Sequence, residues 1–176
     1  GDRQPAYRRC VANCVATAGC VQLEPRTQGS CDVKVCDRGV QGAVVAALWG
    51  CQDECRYQCM WDSERMAARR HVGAQKYHGK WPFQRVWGLQ EIASVVASVA
   101  NLGAHVEGYL SLRSAHAKAG YKYAFMHLWT AYFAVSCAAW LCSSLFHSRD
   151  TMLTERLDYG AANAAIAVGV WASLVR

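Results

Sequence analysis

The sequence predicts a mainly α-helical protein, with a small disulfide-rich lumenal domain followed by a partial transmembrane helical bundle. Eight of the ten cysteines precede residue 61, whereas the second half is rich in Ala, Val, Leu and aromatic residues. Clustered cysteines are typical of small domains in oxidising compartments, and apolar runs near 20 residues are typical of membrane spans. We therefore predict a cysteine-rich lumenal domain over residues 1–75, an interfacial linker over 76–85 and transmembrane helices over 86–176.

The charge distribution argues against nucleic-acid binding. The formal net charge is +6, but no run of Lys or Arg is long enough to form a basic stripe. The charges therefore indicate a solvated basic surface. The chain starts Gly1-Asp2-Arg3, which we interpret as a mature end left after removal of a signal peptide.

Cysteines recur at helical spacing in two short segments. Cys10 and Cys14 are four residues apart, and so are Cys51, Cys55 and Cys59, so each set lies on one face of a helix. Two such helices can be joined by disulfides, which stabilise chiefly by restricting the unfolded chain. The sequence leaves the pairing open. The other cysteines of this domain lie in a loop-like region: Cys20, Cys31 and Cys36.

Zinc is the alternative use for these cysteines. Their Cys-x3-Cys spacing differs from the Cys-x2-Cys knuckle of structural zinc sites, and no His-x3-His pair accompanies them. A segment with so small a core also needs cross-links to fold. We therefore predict disulfides at Cys10, Cys14, Cys20, Cys31, Cys36, Cys51, Cys55 and Cys59.

Residues 76–88 mix cations with aromatic side chains just before an apolar run. Tyr77, Trp81, Phe83 and Trp87 are typical of an aromatic belt at a membrane interface. His78 has two interpretations, a catalytic base or lipid-headgroup contact and a plain interfacial histidine, and we favour the second.

The first predicted span covers residues 86–110, which are moderately apolar and long enough to cross a bilayer. Glu91 within it either faces an aqueous cavity or reaches the lumenal headgroups. A peripheral amphipathic helix is the alternative for the whole segment.

The second predicted span, residues 123–147, has no formal charge, and before its last residue, His147, it is interrupted only by His127. The connection before it, residues 111–122, carries cations and no acidic residue. Because short basic loops stay in the cytosol, the end of the second span is predicted to be lumenal. Cys137 and Cys142 inside this span are predicted to be small buried apolar groups.

A third apolar segment covers residues 159–175, which is the lower limit for a span. We therefore predict two spans, at about 86–110 and 123–147, and an incomplete third at 159–175.

Polar side chains cluster between the second and third apolar segments. Ser143 and His147 are four residues apart and share a helix face, and Asp158 opens the next segment. A short connection can bring this hydroxyl, imidazole and carboxylate together at one membrane boundary. The structural alternative is an interfacial His147, with Ser143 hydrogen-bonded to its own helix backbone.

The order Ser143-x3-His147 followed by Asp158, within the string FHSRDTMLTERLDY at 146–159, resembles a known family. It is similar to the GPI-anchor-remodelling phospholipases of the CREST superfamily of membrane hydrolases, the branch of post-GPI-attachment-to-proteins factor three. The string HGKWPF at 78–83 and the cysteine segments resemble the same family.

This resemblance implies a multi-pass membrane protein of the endoplasmic reticulum or Golgi whose N-terminal domain is lumenal. Its activity would be metal-dependent, phospholipase A2-type removal of the sn-2 acyl chain from GPI anchors, with GPI-anchored proteins as substrates. His147 would be a ligand of zinc, Asp158 the general base, and Ser143 a hydrogen-bonding group for the oxyanion or the metal-bound species.

The family's zinc site also needs a His-x3-His pair on the last of seven helices, and this sequence contains no such pair. The resemblance thus covers the N-terminal part of the family, and we expect this chain to be truncated and inactive alone. The alternative functions are a membrane-anchored lumenal binding or chaperone-like module for GPI-anchored proteins, and a plain structural membrane protein.

Overall fold

The computed structural model describes residues 1–18, 48–120 and 123–175. Within these residues the protein is mainly α-helical, as predicted, and divides into two compact units, Gly1–Gly88 and Leu89–Arg176. The described residues contain five helices: α1 (Pro5–Thr17), α2 (Cys51–Arg69), α3 (Ile92–Ala119), α4 (Met126–Ser148) and α5 (Met152–Val175).

The first unit is built on α1 and α2, which are joined by two disulfides. Cys10 pairs with Cys59 and Cys14 pairs with Cys55, so the two helices run antiparallel. The four-residue spacing on both helices permits this ladder because residues i and i+4 lie on one face. Disulfides at these four positions are therefore confirmed, and Cys51 is also disulfide-bonded. The predictions for Cys20, Cys31 and Cys36 lie outside the described residues.

Two tyrosines pack beside the disulfide ladder. Tyr7 and Tyr77 are 3% and 5% exposed, with ring centroids 5.1 Å apart. Burial raises the pKa of Tyr77 to about 12, and a hydrogen bond with Glu64 adds to the rise. The prediction that Tyr77 belongs to an exposed aromatic belt is corrected, because its ring lies in a core with Tyr7 and Cys59. The other three aromatic residues of that prediction are exposed: Trp81, Phe83 and Trp87.

A tight turn follows α2. Tyr77 and Lys80 exchange two backbone hydrogen bonds of 2.7 and 3.0 Å, and the residues between them, His78 and Gly79, have φ values of 50° and 85°. Positive φ at both central residues is the signature of a type I′ turn. The His78 Nε2 lies 3.1 Å from the Tyr7 hydroxyl, so this histidine is tied to α1.

Arg85 holds the end of the first unit against α2. Its guanidinium carbon lies 3.6 Å from the centroid of the Trp49 ring and 4.1 Å from that of Tyr57. Its Nη1 donates to Glu54 Oε2 at 2.8 Å, and the two side chains are only 10% and 12% exposed. Burial lowers the pKa of Arg85, and the Glu54 carboxylate opposes this change. Because residues 76–85 pack in this way, the first unit extends to Gly88, beyond the predicted domain end at 75.

The second unit consists of α3, α4 and α5, with α4 packed against both of the others. Residues 149–151 are the whole connection between α4 and α5. A connection this short makes the two helices antiparallel neighbours.

The helix that covers most of the first predicted span is α3, which runs from Ile92 to Ala119, whereas the span was predicted over 86–110. Residues 111–119, predicted as a connection, continue the helix because they contain good helix formers and no Gly or Pro. Gly120, with φ 68°, ends α3 in the left-handed conformation that favours glycine. The cations of the predicted loop therefore lie largely in the last turns of α3, where they complement the helix dipole.

The helix that contains the third apolar segment begins before that segment. The helix α5 starts at Met152, not at residue 159, so Asp158 lies in its second turn. The Thr151 hydroxyl accepts a hydrogen bond of 3.2 Å from the Thr154 backbone N–H. This is the geometry of a threonine N-cap, and it explains the start of α5.

Among the described helices, α4 is the one that is long and apolar enough to cross a membrane. It coincides closely with the predicted second span. Crossing by α3 and α5 stays a prediction, because polar residues interrupt both helices: Asn101, His105 and Glu107 in α3, and Arg156, Asp158 and Asn163 in α5.

We predict that Cys14→Ser/Cys55→Ser lowers the unfolding free energy of the first unit by about 3 kcal/mol. This decrease in unfolding free energy is smaller than for an isolated disulfide, because the Cys10–Cys59 bond already closes a loop that contains both Cys14 and Cys55. Removing both bridges should cost more than twice as much. Thermal unfolding followed by tryptophan fluorescence measures the effect. Peptide mapping without reduction should recover the two pairs, and a Cys10–Cys55 peptide would contradict this arrangement.

Arg85→Ala should destabilise the first unit by about 3–5 kcal/mol, because it leaves the Glu54 carboxylate buried and unpaired. Arg85→Lys should restore only part of the loss, since an ammonium group does not stack on two rings as a guanidinium does. The control is Arg65→Ala, which removes an ion pair with Asp62 whose side chains are 65% and 53% exposed. Chemical denaturation should show almost no change for this control. Equal losses at both positions would disprove the anchoring role of Arg85.

Candidate functional site

Ser143 on α4 faces α3. Its hydroxyl oxygen lies 3.0 Å from that of Ser98, which is only 4% exposed. The neighbouring Ser144 and Ser148, by contrast, donate to backbone carbonyls four residues earlier in α4. The Ser143 hydroxyl is therefore oriented by a second hydroxyl on another helix.

His147 lies in the last turn of α4 and contacts Glu91, the residue before α3. The His147 Nδ1 is 2.7 Å from Glu91 Oε2, and these side chains are 25% and 15% exposed. The Glu91 backbone N–H also donates to the His147 carbonyl at 3.0 Å. The Glu91 side chain therefore contacts another helix, whereas its two interpretations placed it in an aqueous cavity or at the headgroups.

Further hydrogen bonds join the same two helix ends. The Gln90 N–H donates to the Ser148 carbonyl at 3.0 Å, and the Asp150 N–H donates to Gln90 Oε1 at 3.1 Å. Together with the Glu91–His147 contacts, these bonds form what we call the terminal clip, made by Gln90, Glu91, His147, Ser148 and Asp150. It fixes the end of α4 against the start of α3.

Ser143 and Asp158 line one cavity of about 620 Å³. This volume lies within the range of about 300–1,000 Å³ that is usual for ligand pockets. The rest of the wall is mostly apolar, with contributions from α3, α4 and α5: His105, Tyr132, Ala139, Trp140, Ala162, Ala165, Ile166, Gly169, Val170 and Leu174 among others. The structure thus brings two of the three predicted site residues to the same cavity. His147 lies one turn beyond Ser143 and is held in the terminal clip.

Aromatic rings and one glycine shape the cavity wall. The His105 ring lies 6.3 Å from that of Tyr132 and 6.1 Å from that of Trp140. A Cβ atom at Gly169 would lie 3.2 Å from the Tyr132 ring. The lack of a side chain at this position therefore lets α5 approach the Tyr132 ring closely.

The residues present do not by themselves fit a zinc site. In the part of the chain that the structure describes, no group of three or more His, Cys, Asp and Glu side chains is placed to hold a metal ion. A catalytic zinc needs about three protein ligands. Because Glu91 engages Nδ1 of His147, only Nε2 of this ring is left to act as a ligand.

Ser98 and the pairing of Glu91 with His147 were missed by the sequence analysis. A signal was present, because Glu91 and Ser98 are seven residues apart, about two helical turns. The helical repeat, extended back by one residue to the N-cap, therefore places Glu91 in line with Ser98 of α3, as Ser143 and His147 share a face of α4. Two polar stripes in apolar segments could have suggested that these faces meet.

This region combines a few polar side chains with a mostly apolar cavity, and the polar side chains determine its chemistry. A carboxylate such as Asp158 can accept a proton. A hydroxyl such as Ser143 can donate to an oxygen that gains negative charge. An imidazole held by a carboxylate can serve as a base or as a ligand.

The comparisons with known proteins cover the whole chain. The Per1-like family matches residues 43–176. The zebrafish (Danio rerio) protein "GPI-specific phospholipase A2-like PGAP3" is 38% identical over 176 residues, which cover 100% of this chain and 52% of the relative. The mouse (Mus musculus) protein of the same name is 35% identical, with 100% and 51% covered. The Schizosaccharomyces pombe "Protein PER1 homolog" is 32% identical, with 99% and 49% covered.

This chain thus spans about half the length of the curated relatives it matches. No solved structure matches it. The matches confirm the resemblance carried by residues 78–83 and 146–159. Since the family match includes the three predicted site residues and four of the five described helices, the chain belongs to the Per1-like family.

Proposed function

We propose that the protein acts in the lipid remodelling of GPI anchors, by removing the sn-2 acyl chain through phospholipase A2-type ester hydrolysis. The main support is that Ser143 and Asp158 line one largely apolar cavity. A lipid ester needs apolar walls for its acyl chain and a few polar groups at the reacting carbonyl. Relatives named GPI-specific phospholipase A2-like proteins support the same substrate class.

In this proposal the polar residues have distinct roles. Asp158 acts as the general base that takes a proton from the attacking water. Ser143 donates a hydrogen bond to the ester carbonyl oxygen as it gains negative charge. The 3.0 Å contact with Ser98 supports this role, because Ser98 can donate to Ser143 and leave the Ser143 hydrogen for the substrate.

For zinc, we propose only that Nε2 of His147 would supply one ligand. A catalytic zinc, when bound, supplies an activated water. The described residues contain no set of three ligands, so the other protein ligands would lie outside them. The proposed roles of Ser143 and Asp158 rest on their positions in the cavity.

We further propose a multi-pass membrane protein of the endoplasmic reticulum or Golgi, with the disulfide-linked first unit in the lumen and GPI-anchored proteins as substrates. The helix α4 supports membrane insertion by its length and composition. The disulfides of α1 and α2 support an oxidising compartment. A membrane-anchored binding or chaperone-like module for GPI-anchored proteins is the alternative that the following experiment separates from the enzyme.

Asp158→Asn should reduce removal of the sn-2 acyl chain at least 100-fold, because general-base catalysis contributes about 10²–10⁴-fold. The variant is made in the natively expressed protein, in cells that lack endogenous GPI-remodelling activity. Mass spectrometry of the lipid on a GPI-anchored reporter measures the diacyl and lyso forms. The control is Glu155→Gln, a carboxylate change one turn earlier in α5, which should keep normal activity. Normal activity of Asp158→Asn would favour the binding module instead.

Gly169→Val should lower acyl-chain removal at least tenfold, because the added side chain meets the Tyr132 ring and fills the cavity. Gly160→Val on the same helix is the matched control, since nothing lies within 4 Å of its Cβ position. Tyr132→Ala added to Gly169→Val should restore part of the activity by reopening the space. The reporter assay above is used, with protein level checked by immunoblot. Equal effects of both valine variants would argue against the cavity as the acyl site.

A further inference from the structure

The His147 ring is bonded by a carboxylate from another helix. The 2.7 Å distance between Nδ1 and Glu91 Oε2 is typical of a charge-assisted hydrogen bond. An ionised carboxylate can only accept, so the hydrogen of this bond belongs to Nδ1. In a neutral imidazole, Nε2 is then the nitrogen with the free electron pair.

Neither partner can easily turn away. Glu91 occupies the N-cap of α3, and its carbonyl accepts the first helical hydrogen bond, from Val95, at 3.0 Å. Its N–H donates to the His147 carbonyl, also at 3.0 Å. The backbone thus fixes Glu91, while low exposure of both side chains limits competition from water.

We propose that Glu91 is a positioning residue, which holds His147 in the Nδ1–H tautomer and so makes Nε2 the reactive nitrogen. The tautomer is inferred from the contact between Nδ1 and the Glu91 carboxylate, whereas its importance for ester hydrolysis rests on the proposed function. Carboxylates that bond the second nitrogen of a functional histidine fix its tautomer and the orientation of its ring.

A purely structural ion pair is the competing explanation. Bonds made by Gln90 already join the two helix ends, to the Ser148 carbonyl and from the Asp150 N–H. These bonds do not involve the Glu91 carboxylate, so its loss should leave the helices in contact and change the state of the His147 ring. This difference makes the two explanations separable.

The test is the tautomer of His147, measured by two-bond ¹H–¹⁵N correlation spectra of the full chain in detergent micelles at a pH where the ring is neutral. The chain has 6 histidines, and His147→Gln identifies the signal. We expect the Nδ1–H form in the unmodified protein and the Nε2–H form, preferred by imidazole in water, in Glu91→Ala. Glu91→Gln should retain the Nδ1–H form, because its amide oxygen still accepts. Gln90→Ala, which alters the terminal clip without touching the ring, should also retain it.

An Nε2–H form in the unmodified protein, or an unchanged tautomer in Glu91→Ala, would overturn the proposal. In the GPI-reporter assay, the activity of Glu91→Ala should be about 10- to 100-fold lower than that of the unmodified protein. Glu91→Gln should retain most of the activity. Loss in Gln90→Ala equal to that in Glu91→Ala would indicate a structural role and overturn the positioning role. If the natively expressed protein did not remodel GPI lipids, the proposed function would fail, while the spectra would still decide the tautomer.

Discussion

The hydrogen bonds between the start of α3 and the end of α4 are the constraint on which the site depends. Backbone groups make two of them, from Gln90 to Ser148 and from Glu91 to His147. Besides this backbone bond, the Glu91 carboxylate contacts the imidazole of the same residue, His147. Ionisable groups near a bilayer need such partners, because water is scarce and an unpaired group is costly. Backbone and side chain thus place one imidazole at a defined position, one helical turn from Ser143.

The cavity provides the apolar walls and open space that the terminal clip does not have. Small residues on α4 and α5, such as Ala139 and Ala162, leave space between the helices, and Ser143 and Asp158 are among the polar groups of a mostly apolar wall. Under the proposed function, the apolar wall would hold the acyl chain and the polar groups would face the ester carbonyl. The first unit has a different construction, in which disulfides and one buried ion pair hold a small core. This agrees with a domain too small to be stable through apolar burial alone.

Local periodicity predicted the elements better than their ends or their contacts. The four-residue spacing of Cys10 and Cys14 placed them on one helix face, but their partners lie 49 and 41 residues away, and local spacing carries no information on that distance. The end of α3 was predicted too early because the prediction stopped where the apolar run stops. The helix continues past that point and ends at Gly120. Tyr77 and Arg85 were assigned to an interface because aromatic and cationic residues alternate there, whereas tertiary contacts bury both. The site residues Ser143, His147 and Asp158 came from spacing and family resemblance, while Ser98 required the packing of α3 on α4.

The central claim is that this site lies at the lumenal face of the membrane, and it can be tested at the start of α5. Met152, the first residue of that helix, is 71% exposed. We would place a cysteine there by Met152→Cys in a background with Cys137→Ala and Cys142→Ala, and treat sealed microsomes with a membrane-impermeant maleimide. A lumenal site predicts labelling at position 152 only after the vesicles are permeabilised. Labelling in sealed vesicles, whose outer face is cytosolic, would contradict the claim.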